Sequence, residues 1–282
     1  MEKGSFAYYN GRFGGREKIA LPLSDRSIFF GDAVYDMMVG ERGVIHQAFE
    51  HIFRLLSGAE TIGLDHGFTA EKICEILHKA VELSGLFCYT VYVQLSRRSK
   101  RRTHAPDDCG DVGLLVTVDP YEMKENYEPI RLMSAPDLRY RLCNVKTVNL
   151  LPAVLASREA RDAGCDEAVF IRDGFITECA HSNISILKEG VIYTHPLSEF
   201  ILPGITRKHL LLGASELGIP TREVPFTLKE LLCADEVLVT STTKLLRLAG
   251  YIDSVRIGGR DQGLACALRD YLWNEYYQNF HK

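Results

Sequence analysis

The sequence predicts a two-domain protein of mixed α/β (α+β) class, and three observations support this. The chain has 282 residues, more than a typical single domain, so two domains of about 100 to 160 residues are expected. Apolar residues make up 46% and charged residues 25% of the chain, as in ordinary globular proteins. Segments with helical spacing of apolar residues alternate with β-branched runs. No internal repeat or low-complexity segment interrupts them.

Residues 1–120 are predicted to form an N-terminal α/β domain. Two helices are expected, at Ile45 to Ile62 and at Thr69 to Leu83, and Thr69 is a suitable N-cap for the second. The first helix has one apolar stripe, made of Phe49, Ile52, Phe53, Leu56 and Ala59. Strands are expected at Cys88 to Leu95 and at Val112 to Val118, because β-branched and aromatic residues are enriched there. The polar, proline-marked segment 121–127 is predicted to be the interdomain linker.

Residues 128–282 are predicted to form the C-terminal domain. Helices are expected at Leu151 to Ala163, Ile205 to Leu217 and Arg260 to Phe280. Gly164 would end the first of them in the left-handed conformation that glycine favours. Strands are expected at Ile130 to Met133, Glu167 to Arg172, Phe175 to Glu178, Ile184 to Leu187, Val191 to Thr194 and Glu236 to Thr240. Asp173-Gly174 predicts the hairpin turn between two of these strands.

Composition narrows the compartment and the partners. Eight cysteines occur without a C-x-x-C pair, which is typical of reduced thiols in a cytosol and argues against a zinc ribbon. The N-terminus lacks the apolar core of a signal peptide, and no apolar run reaches the roughly 18 residues of a membrane span. A net charge of −4 disfavours nucleic acid as the main partner. We therefore expect a cytoplasmic protein that binds neither nucleic acid nor membrane.

Lys146 is the first candidate for chemistry. It precedes an apolar segment containing Leu150, Leu151, Val154 and Leu155, and a lysine buried there would have the depressed pKa that Schiff-base chemistry requires. A lysine at a helix edge, with its ammonium in water, explains the same pattern and is commoner for a single residue.

Two segments resemble anion sites. Gly204, Ile205 and Thr206 begin a predicted helix, whose free N–H groups and dipole favour a bound phosphate. Ser241, Thr242 and Thr243 follow a predicted strand and offer hydroxyls in a turn. Together these segments predict a phosphate cup without a P-loop lysine, although ordinary caps and turns account for either one alone.

A carboxylate and a basic loop complete the set of candidates. Glu178, at the end of a predicted buried strand, is placed to accept a hydrogen bond from a protonated pyridine nitrogen; a surface glutamate is the commoner alternative. The loop from Arg97 to His104 carries five cations, which suits either a solvated loop or a carboxylate trap. Tyr35 adds a hydroxyl for the substrate. Motifs typical of serine hydrolases, zinc proteases and P-loop or dinucleotide-binding proteins are missing from the sequence.

Six blocks of residues, in this order, resemble the class IV pyridoxal-phosphate aminotransferases. They are Asp25-Arg26…Phe30-Gly31-Asp32…Tyr35, Glu50-His51-Ile52…Arg54-Leu55, Lys146-Thr147-Val148-Asn149, Thr177-Glu178…Ser182-Asn183, Gly204-Ile205-Thr206-Arg207 and Thr240-Ser241-Thr242-Thr243. Within that class the resemblance is closest to the D-amino acid transaminases, whose Arg-x-His loop is matched by Arg102-Thr103-His104.

The resemblance implies a fold, a cofactor and a partner. The fold would have a small N-terminal α/β domain and a larger C-terminal domain with a β-barrel-like core that carries the cofactor lysine. The cofactor would be pyridoxal 5′-phosphate, and the substrates a D-amino acid of the D-alanine, D-glutamate or D-aspartate type and a 2-oxo acid, which react by a ping-pong mechanism. The protein would be a homodimer in which the Arg-x-His loop reaches into the neighbour's site.

The resemblance also implies a role for each matched residue. Lys146 would form the Schiff base and then move the α-proton, and Glu178 would pair with the pyridine nitrogen. Leu202 would pack against the cofactor ring. Tyr35, Arg102 and His104 would bind the substrate carboxylate. The phosphate would be held by Arg54, Ile205, Thr206, Ser241 and Thr242.

Two departures from the family pattern leave alternatives open. The serine-rich turn after the glutamate is replaced by Cys179-Ala180-His181, which places a titratable side chain there. The loop carries extra charge at Arg98, Lys100 and Arg101, suited to dicarboxylic substrates or to solvent. The alternative activities are transamination of branched-chain L-amino acids and aminodeoxychorismate lysis. A non-catalytic cofactor carrier is a further alternative, against which the presence of both Lys146 and Glu178 argues.

Overall fold

The computed structural model describes residues 4–106 and 112–280, which fall into two compact units. Within the described residues, the first unit contains the chain up to Met123, Val145–Asn149 and the chain end from Asn279. The second unit contains Lys124–Asn144 and Leu150–Gln278. Neither unit is a single continuous stretch of chain.

The first unit is built on a six-stranded antiparallel sheet with strand order β2-β1-β6-β5-β3-β4. Its elements are β1 (Phe6–Tyr9), β2 (Arg12–Gly15), α1 (Ser27–Phe30), β3 (Ala33–Glu41), β4 (Val44–Ile45), α2 (Ala48–Thr61), α3 (Ala70–Ser84), β5 (Cys88–Arg97) and β6 (Val112–Pro120). The helices α2 and α3 pack on each other and on the sheet. The Thr69 side chain accepts a hydrogen bond from Lys72 N, which confirms the predicted N-cap of α3.

The expected apolar stripe of α2 is wrong in part. Phe49 and Phe53 are 60% and 73% exposed, whereas the buried face consists of His51, Ile52, Leu55, Gly58 and Ala59. The reason is the buried pair of His51 with Asp36 of β3, which turns the histidine side of the helix toward the sheet. The helix also begins later than expected, because Val44–Ile45 pairs with β3 as a short strand.

The second unit contains a nine-stranded mixed sheet with the order β12-β11-β10-β13-β14-β7-β8-β9, and β15 pairs with β14. Its elements are β7 (Ile130–Pro136), α4 (Leu151–Asp162), β8 (Glu167–Arg172), β9 (Phe175–Cys179), β10 (Asn183–Lys188), β11 (Val191–Thr194), α5 (Ile205–Glu216), β12 (Thr221–Glu223), α6 (Leu228–Leu232), β13 (Glu236–Ser241), β14 (Leu245–Ile252), β15 (Val255–Arg256) and α7 (Gln262–Gln278).

The sheet of the second unit curls around a shared apolar core. One cluster of buried side chains joins residues of β7, β8, β9, β10, β13 and β14, which requires the sheet to wrap around them as a half-barrel. A separate cluster, rich in alanine, seals α4 against β7 and β8, with Ala153, Ala156 and Ala160 on the helix side. The expected mixed fold with a barrel-like core is therefore confirmed.

The division of the chain differs from the expected one at the lysine segment. Val145–Asn149 belongs to the first unit, although residues 128–282 were expected to form one domain that carries the lysine. Hydrogen bonds explain the difference: Tyr35 N donates to Lys146 O at 2.8 Å, and Val148 N donates to Ala33 O at 3.2 Å. The segment thus extends the sheet at the start of β3 before the chain enters the second unit.

Two further observations bear on compartment. The seven cysteines among the described residues are free, and Cys109 lies outside those residues. Within residues 4–106 and 112–280, none of the helices has the length and apolar character needed to cross a membrane.

Candidate active site

Lys146 is held by the backbone on both sides and by an aromatic ring at its amine. Its neighbours Val145 and Thr147 are buried, and Thr147 forms an antiparallel bridge with Val34. The lysine is half-buried, and its Nζ lies 4.5 Å from the centre of the Tyr35 ring. Tyr35 in turn stacks on Tyr92 at 5.3 Å between ring centres. The expected pair of amine and tyrosine is thus brought together within the first unit.

The apolar environment expected for this lysine is wrong. Leu150, Leu151, Val154 and Leu155 are exposed, Leu151 by 68%. They belong to the end of the segment and to α4, whose packed side is the alanine face. What surrounds Lys146 in its own unit is the start of β3 and the Tyr35 ring.

Arg54 is fixed by a buried carboxylate that sequence reasoning missed. Its Nε and Nη2 donate to the two oxygens of Asp36, each at 2.8 Å, and His51 Nδ1 lies 2.8 Å from Asp36 Oδ1. Asp36 is fully buried. Burial raises the pKa of this carboxyl, but the charges of Arg54 and His51 outweigh that effect and hold the pKa well below its ordinary value. The guanidinium is thereby oriented before any anion binds.

Arg102 and His104 lie together on the surface of the first unit. The Arg102 guanidinium lies over the rings of Phe29 and Phe30, at 5.4 and 5.2 Å from their centres, and the His104 ring is 5.5 Å from that of Phe30. Beneath them, Arg26 donates to the carbonyls of Thr103 and His104. The expected pairing of Arg102 with His104 is consistent with this geometry, since both side chains share the Phe30 ring.

The extra cations of this loop point to different surroundings. Lys100 and Arg101 are exposed. Arg98 lines a separate cavity that also contains Arg12 and Lys18. Three cations on the same loop are therefore not part of one cluster with Arg102 and His104.

Glu178 lies in β9 of the second unit and is only 5% exposed, which excludes the surface-glutamate alternative. Three donors hold its carboxylate: Arg139 Nη1 on Oε1, and on Oε2 both Asn183 Nδ2 at 2.9 Å and Leu202 N at 3.0 Å. A carboxylate opposite a guanidinium is kept as an anion, which is the form that accepts a hydrogen bond from a protonated ring nitrogen.

Arg139 belongs to a buried ionic chain that the sequence did not reveal. Its Nε and Nη2 bond Asp137, which also accepts from Arg172, and its guanidinium lies 4.6 Å from the centre of the Phe170 ring. Burial lowers the pKa of Arg139, yet the hydrogen bond to Asp137 and the charge of Glu178 raise it above its ordinary value. The opposed charges therefore hold one another in a dry place.

The N-terminus of α5 and the end of β13 form the expected anion-binding segments. Ile205 and Thr206 occupy the first turn of α5 and are buried, so their N–H groups have no helical partner. Ser241 ends β13 and pairs with Leu245 across a tight turn, whose φ at Leu245 is 52°. The buried Arg207 ties the helix start to Thr194, His195 and Glu223.

Asn183 connects this anion-binding region with Glu178. Besides donating to Glu178, its Nδ2 donates to Leu202 O at 3.0 Å, and its backbone pairs with Thr240. Its Oδ1 fills the space next to Gly204, where a Cβ would overlap it. Glu178, Leu202 and the start of α5 are thus brought together by one amide side chain, which explains why a glycine stands at the helix N-cap.

His181 lies on the turn after β9 and contacts a buried carboxylate. Glu167 accepts from His181 N at 2.8 Å and from Ser182 Oγ at 3.0 Å, and His181 Nδ1 lies 3.2 Å from Glu167 Oε1. Burial raises the pKa of Glu167 to about 7, against the opposing effect of the two hydrogen bonds. The departure from the serine-rich turn is therefore accompanied by a second titratable group.

The residues fit a ligand with a carbonyl, a ring nitrogen and a phosphate. The first unit supplies an amine at Lys146 and an oriented guanidinium at Arg54. The second unit supplies a three-fold hydrogen-bonded carboxylate at Glu178 and a helix N-terminus that begins with Ile205. These are the groups that pyridoxal 5′-phosphate requires.

Comparison with known proteins agrees with this chemistry. The family model for "Amino-transferase class IV" matches residues 33–249. The D-alanine aminotransferase of Bacillus licheniformis is 35% identical over 261 residues, which cover 90% of this chain and 91% of that protein.

Solved structures show the same fold. The branched-chain aminotransferase of the thermophilic archaeon Thermoproteus uzoniensis, in complex with norvaline, superposes with a TM-score of 0.84 at 26% identity, covering 98% of this chain and 97% of that chain. The putative 4-amino-4-deoxychorismate lyase of Legionella pneumophila superposes with a TM-score of 0.85 at 25% identity, covering 92% and 97%.

These matches define the class of the protein and its cofactor. The chain belongs to the class IV aminotransferases. Other branched-chain amino acid aminotransferases of the same fold have been solved with a phosphopyridoxyl derivative or with pyridoxamine 5′-phosphate bound. The cofactor of this enzyme is pyridoxal 5′-phosphate.

Proposed function

We propose that this enzyme transfers the amino group between a D-amino acid, of the D-alanine, D-glutamate or D-aspartate type, and a 2-oxo acid by a ping-pong mechanism. The relative from Bacillus licheniformis supports this by its name. The arrangement of Arg102 and His104 over Phe30 supports it by chemistry, because a guanidinium and an imidazole on a fixed template suit a carboxylate.

Lys146 provides the amine and the base. Bound pyridoxal phosphate supplies an aldehyde that takes up the amino group and a protonated ring that draws electrons from the substrate's α-carbon. Once the substrate amine has displaced Lys146, the lysine Nζ is the group that removes the α-proton and returns it one carbon away. The Tyr35 ring beside Nζ limits the positions that the amine can take.

Glu178 and Leu202 act on the ring. The Glu178 carboxylate accepts the proton of the ring nitrogen as a hydrogen bond, and its contacts with Arg139 and Asn183 keep it from rotating away. Leu202, whose N–H is bonded to the same carboxylate, packs against the ring. Nothing in this arrangement requires movement of Glu178 during the reaction.

Arg54 and the helix start hold the phosphate. Arg54 is pre-oriented by Asp36, and Ile205 and Thr206 offer N–H groups at the positive end of the α5 dipole. Ser241 and Thr242 add hydroxyls at the end of β13. The observation that carries the proposal most strongly is the hydrogen-bonded cluster of Glu178, Asn183 and Leu202, because a plain phosphate binder has no use for a buried carboxylate beside its cup.

We further propose that the enzyme is a cytoplasmic homodimer. The seven free cysteines among the described residues suit a reducing compartment. Exposed apolar side chains support self-association, among them Leu151 and Val154 of α4, since soluble monomers rarely leave such groups uncovered in number.

A first experiment tests the lysine. The purified protein is incubated with pyridoxal phosphate, reduced with borohydride and digested, and the peptides are weighed by mass spectrometry. The cofactor mass is expected on the peptide with Lys146, and Lys146→Ala is expected to lose both the adduct and essentially all turnover. Lys79→Ala, on the exposed face of α3, is the control. An adduct on another lysine would contradict the assignment.

A second experiment tests the substrate. The enzyme is mixed with 2-oxoglutarate and either D-alanine or L-leucine, and the product 2-oxo acid is measured. Pyruvate from D-alanine alone is expected. Turnover of L-leucine alone would instead establish a branched-chain L-transaminase, and lysis of aminodeoxychorismate without transamination would establish the third activity.

A further inference from the structure

The segment that carries Arg102 and His104 has little structure of its own. Between the end of β5 at Arg97 and Pro106 it forms no helix or regular strand, and residues 100 to 106 are exposed. Its internal side-chain hydrogen bonds are local, from Ser99 Oγ to Arg101 O and from Thr103 Oγ1 to Ala105 O. The positions of Arg102 and His104 must therefore be fixed from outside the segment.

Arg26 provides that external contact. It is 5% exposed, and its Nη1 and Nη2 donate to Thr103 O at 2.6 Å and to His104 O at 2.8 Å. These carbonyls belong to the residue that follows Arg102 and to His104 itself. A guanidinium that grips two consecutive carbonyls fixes the peptide plane between them, and with it the direction of both flanking side chains.

Asp32 joins the two ends of the segment. Its Oδ2 accepts from Arg26 Nε at 2.8 Å and from Arg97 Nε at 3.1 Å. Arg97, at the start of the segment, is anchored in turn on Ile62 O and Gly63 O. One carboxylate therefore ties the entry and the exit of the loop to the same point.

The Phe30 ring completes the contact. Arg26 lies over it at 4.3 Å from the ring centre, and Arg102 and His104 lie against it at 5.2 and 5.5 Å. Arg26 thus holds the loop backbone and the aromatic template on which both side chains rest.

We propose that Arg26 is a positioning residue for the substrate carboxylate, acting through the loop it holds rather than by touching the substrate. This inference rests on the proposed role of Arg102 and His104. Lysine is a poor replacement, because one ammonium does not reproduce a planar fork with three separate partners.

Replacement by methionine tests the proposal without an expected loss of the fold. Methionine fills much of the same space, Asp32 keeps its partner Arg97, and the two carbonyls lie in exposed residues where water replaces the lost donors. In Arg26→Met we expect KM for D-alanine and for the 2-oxo acid to rise about 10- to 100-fold, while cofactor absorbance is retained, because a small misplacement of binding groups has effects of that size. Arg26→Lys is expected to recover little of the loss.

Arg42→Met is the matched control. Arg42 also lies over a phenylalanine, Phe87 at 5.2 Å, and pairs with a neighbouring carboxylate, Glu41, but its side chain is 54% exposed and lies away from the loop. Its KM is expected to equal that of the wild type.

Hydrogen exchange of the holoenzyme separates positioning from general damage. The peptide over residues 98–106 is expected to exchange faster in Arg26→Met, whereas peptides of β5 and α3 exchange as in the wild type. Unchanged exchange of that peptide, or unchanged KM, would overturn the proposal. Arg102→Ala is measured in parallel: if it raises KM and Arg26→Met does not, only the role of Arg26 fails. If neither variant raises KM, the assignment of the loop to the substrate fails with it.

Discussion

Asn183 is the residue on which the second unit's share of the chemistry depends. Its single Nδ2 group bonds both Glu178 and the carbonyl of Leu202, and its Oδ1 occupies the space beside Gly204. A loss at this position therefore changes the carboxylate that faces the ring and the entry to the helix that faces the phosphate. No other described side chain touches both.

We expect Asn183→Ala to weaken cofactor binding about 10- to 100-fold, since leaving buried partners unsatisfied costs about 1 to 3 kcal/mol. Asn183→Asp is expected to be worse, because a second carboxylate would face Glu178. Titration of the cofactor-free protein with pyridoxal phosphate, followed by absorbance, measures the effect. Asn126→Ala, in an exposed turn, is the control. Equal affinities for Asn183→Ala and the wild type would contradict the connecting role.

Glu167 makes stability depend on pH in an unusual direction. Burial raises the pKa of its carboxyl from 4.5 to about 7, so the folded state binds a proton that the unfolded state has already lost between those pH values. Its contribution to stability is therefore complete below about pH 4.5 and is lost as the pH rises to about 7. Lys244 opposes the shift and Asp166 adds to it, while His181 faces the same carboxylate.

Urea unfolding of the wild type and of Glu167→Gln at a series of pH values tests this. The wild type is expected to lose about 1 to 3 kcal/mol relative to the variant between pH 4.5 and 7, with no further change above. Curves that stay parallel across this interval would show that Glu167 is ionised throughout. Glu159→Gln, on the exposed side of α4, serves as the control for loss of a carboxylate.

At the scale of single elements, α5 shows how a helix start is shaped by its neighbour. The backbone of Gly204, with φ of −65°, suits any residue, so its requirement for glycine is one of space alone. The overlapping atom is Asn183 Oδ1, which cannot retreat without breaking the contacts to Glu178 and Leu202.

Gly204→Ala is therefore expected to lower the affinity for pyridoxal phosphate about tenfold or more, as overpacking of this kind costs about 1 to 3 kcal/mol. Gly263→Ala is the control, because the nearest atom to a Cβ there is Asp261 Oδ1 at 3.8 Å. That control is expected to be neutral or to stabilise the protein by about 0.5 to 1 kcal/mol. Melting temperature and cofactor titration measure both variants; equal behaviour of the two would refute the overlap.

Elements with local signals could be predicted from the sequence. The strand Glu167–Arg172 has the expected bounds, and α3 begins after its Thr69 cap. The strand Ala33–Glu41 was missed, because the buried Asp36 interrupts its apolar pattern and is compensated only by His51 and Arg54 of another element.

The same distinction applies to the candidate site. Lys146, Glu178 and the Arg102–His104 pair were found because they lie in short ordered motifs. The partners that orient them were not found as partners: Asp36, Arg139 and Arg26 act on residues that only the folded chain brings near. Single-sequence patterns reveal reactive groups more readily than the contacts that hold them.

At the scale of the whole molecule, the proposed dimer makes a sharp prediction. If the loop with Arg102 serves the partner's site, then Arg102→Ala and Lys146→Ala damage different sites of a mixed dimer. Mixing the two inactive proteins under conditions of subunit exchange is expected to restore about a quarter of wild-type activity, because about half of the dimers are hybrids with one complete site each. Light scattering should give twice the chain mass of 31.7 kDa.

No gain of activity on mixing, with subunit exchange verified by mass spectrometry of the mixed dimer, would contradict the shared site. A mass of 31.7 kDa at working concentration would contradict the dimer itself. The control is a mixture of Arg42→Met with Lys146→Ala, in which activity is expected to follow the amount of Arg42→Met.

The return of Val145–Asn149 to the first unit has a consequence for synthesis of the chain. When the ribosome has delivered only the residues up to Met123, the edge of β3 at Ala33 and Tyr35 still lacks the strand segment that will cover it. An uncovered edge is a template for association with other nascent chains, so chaperone demand should last until residue 149 has emerged. The segment that ends this vulnerable interval is also the one that carries Lys146, so the reactive amine enters the fold as the edge is covered.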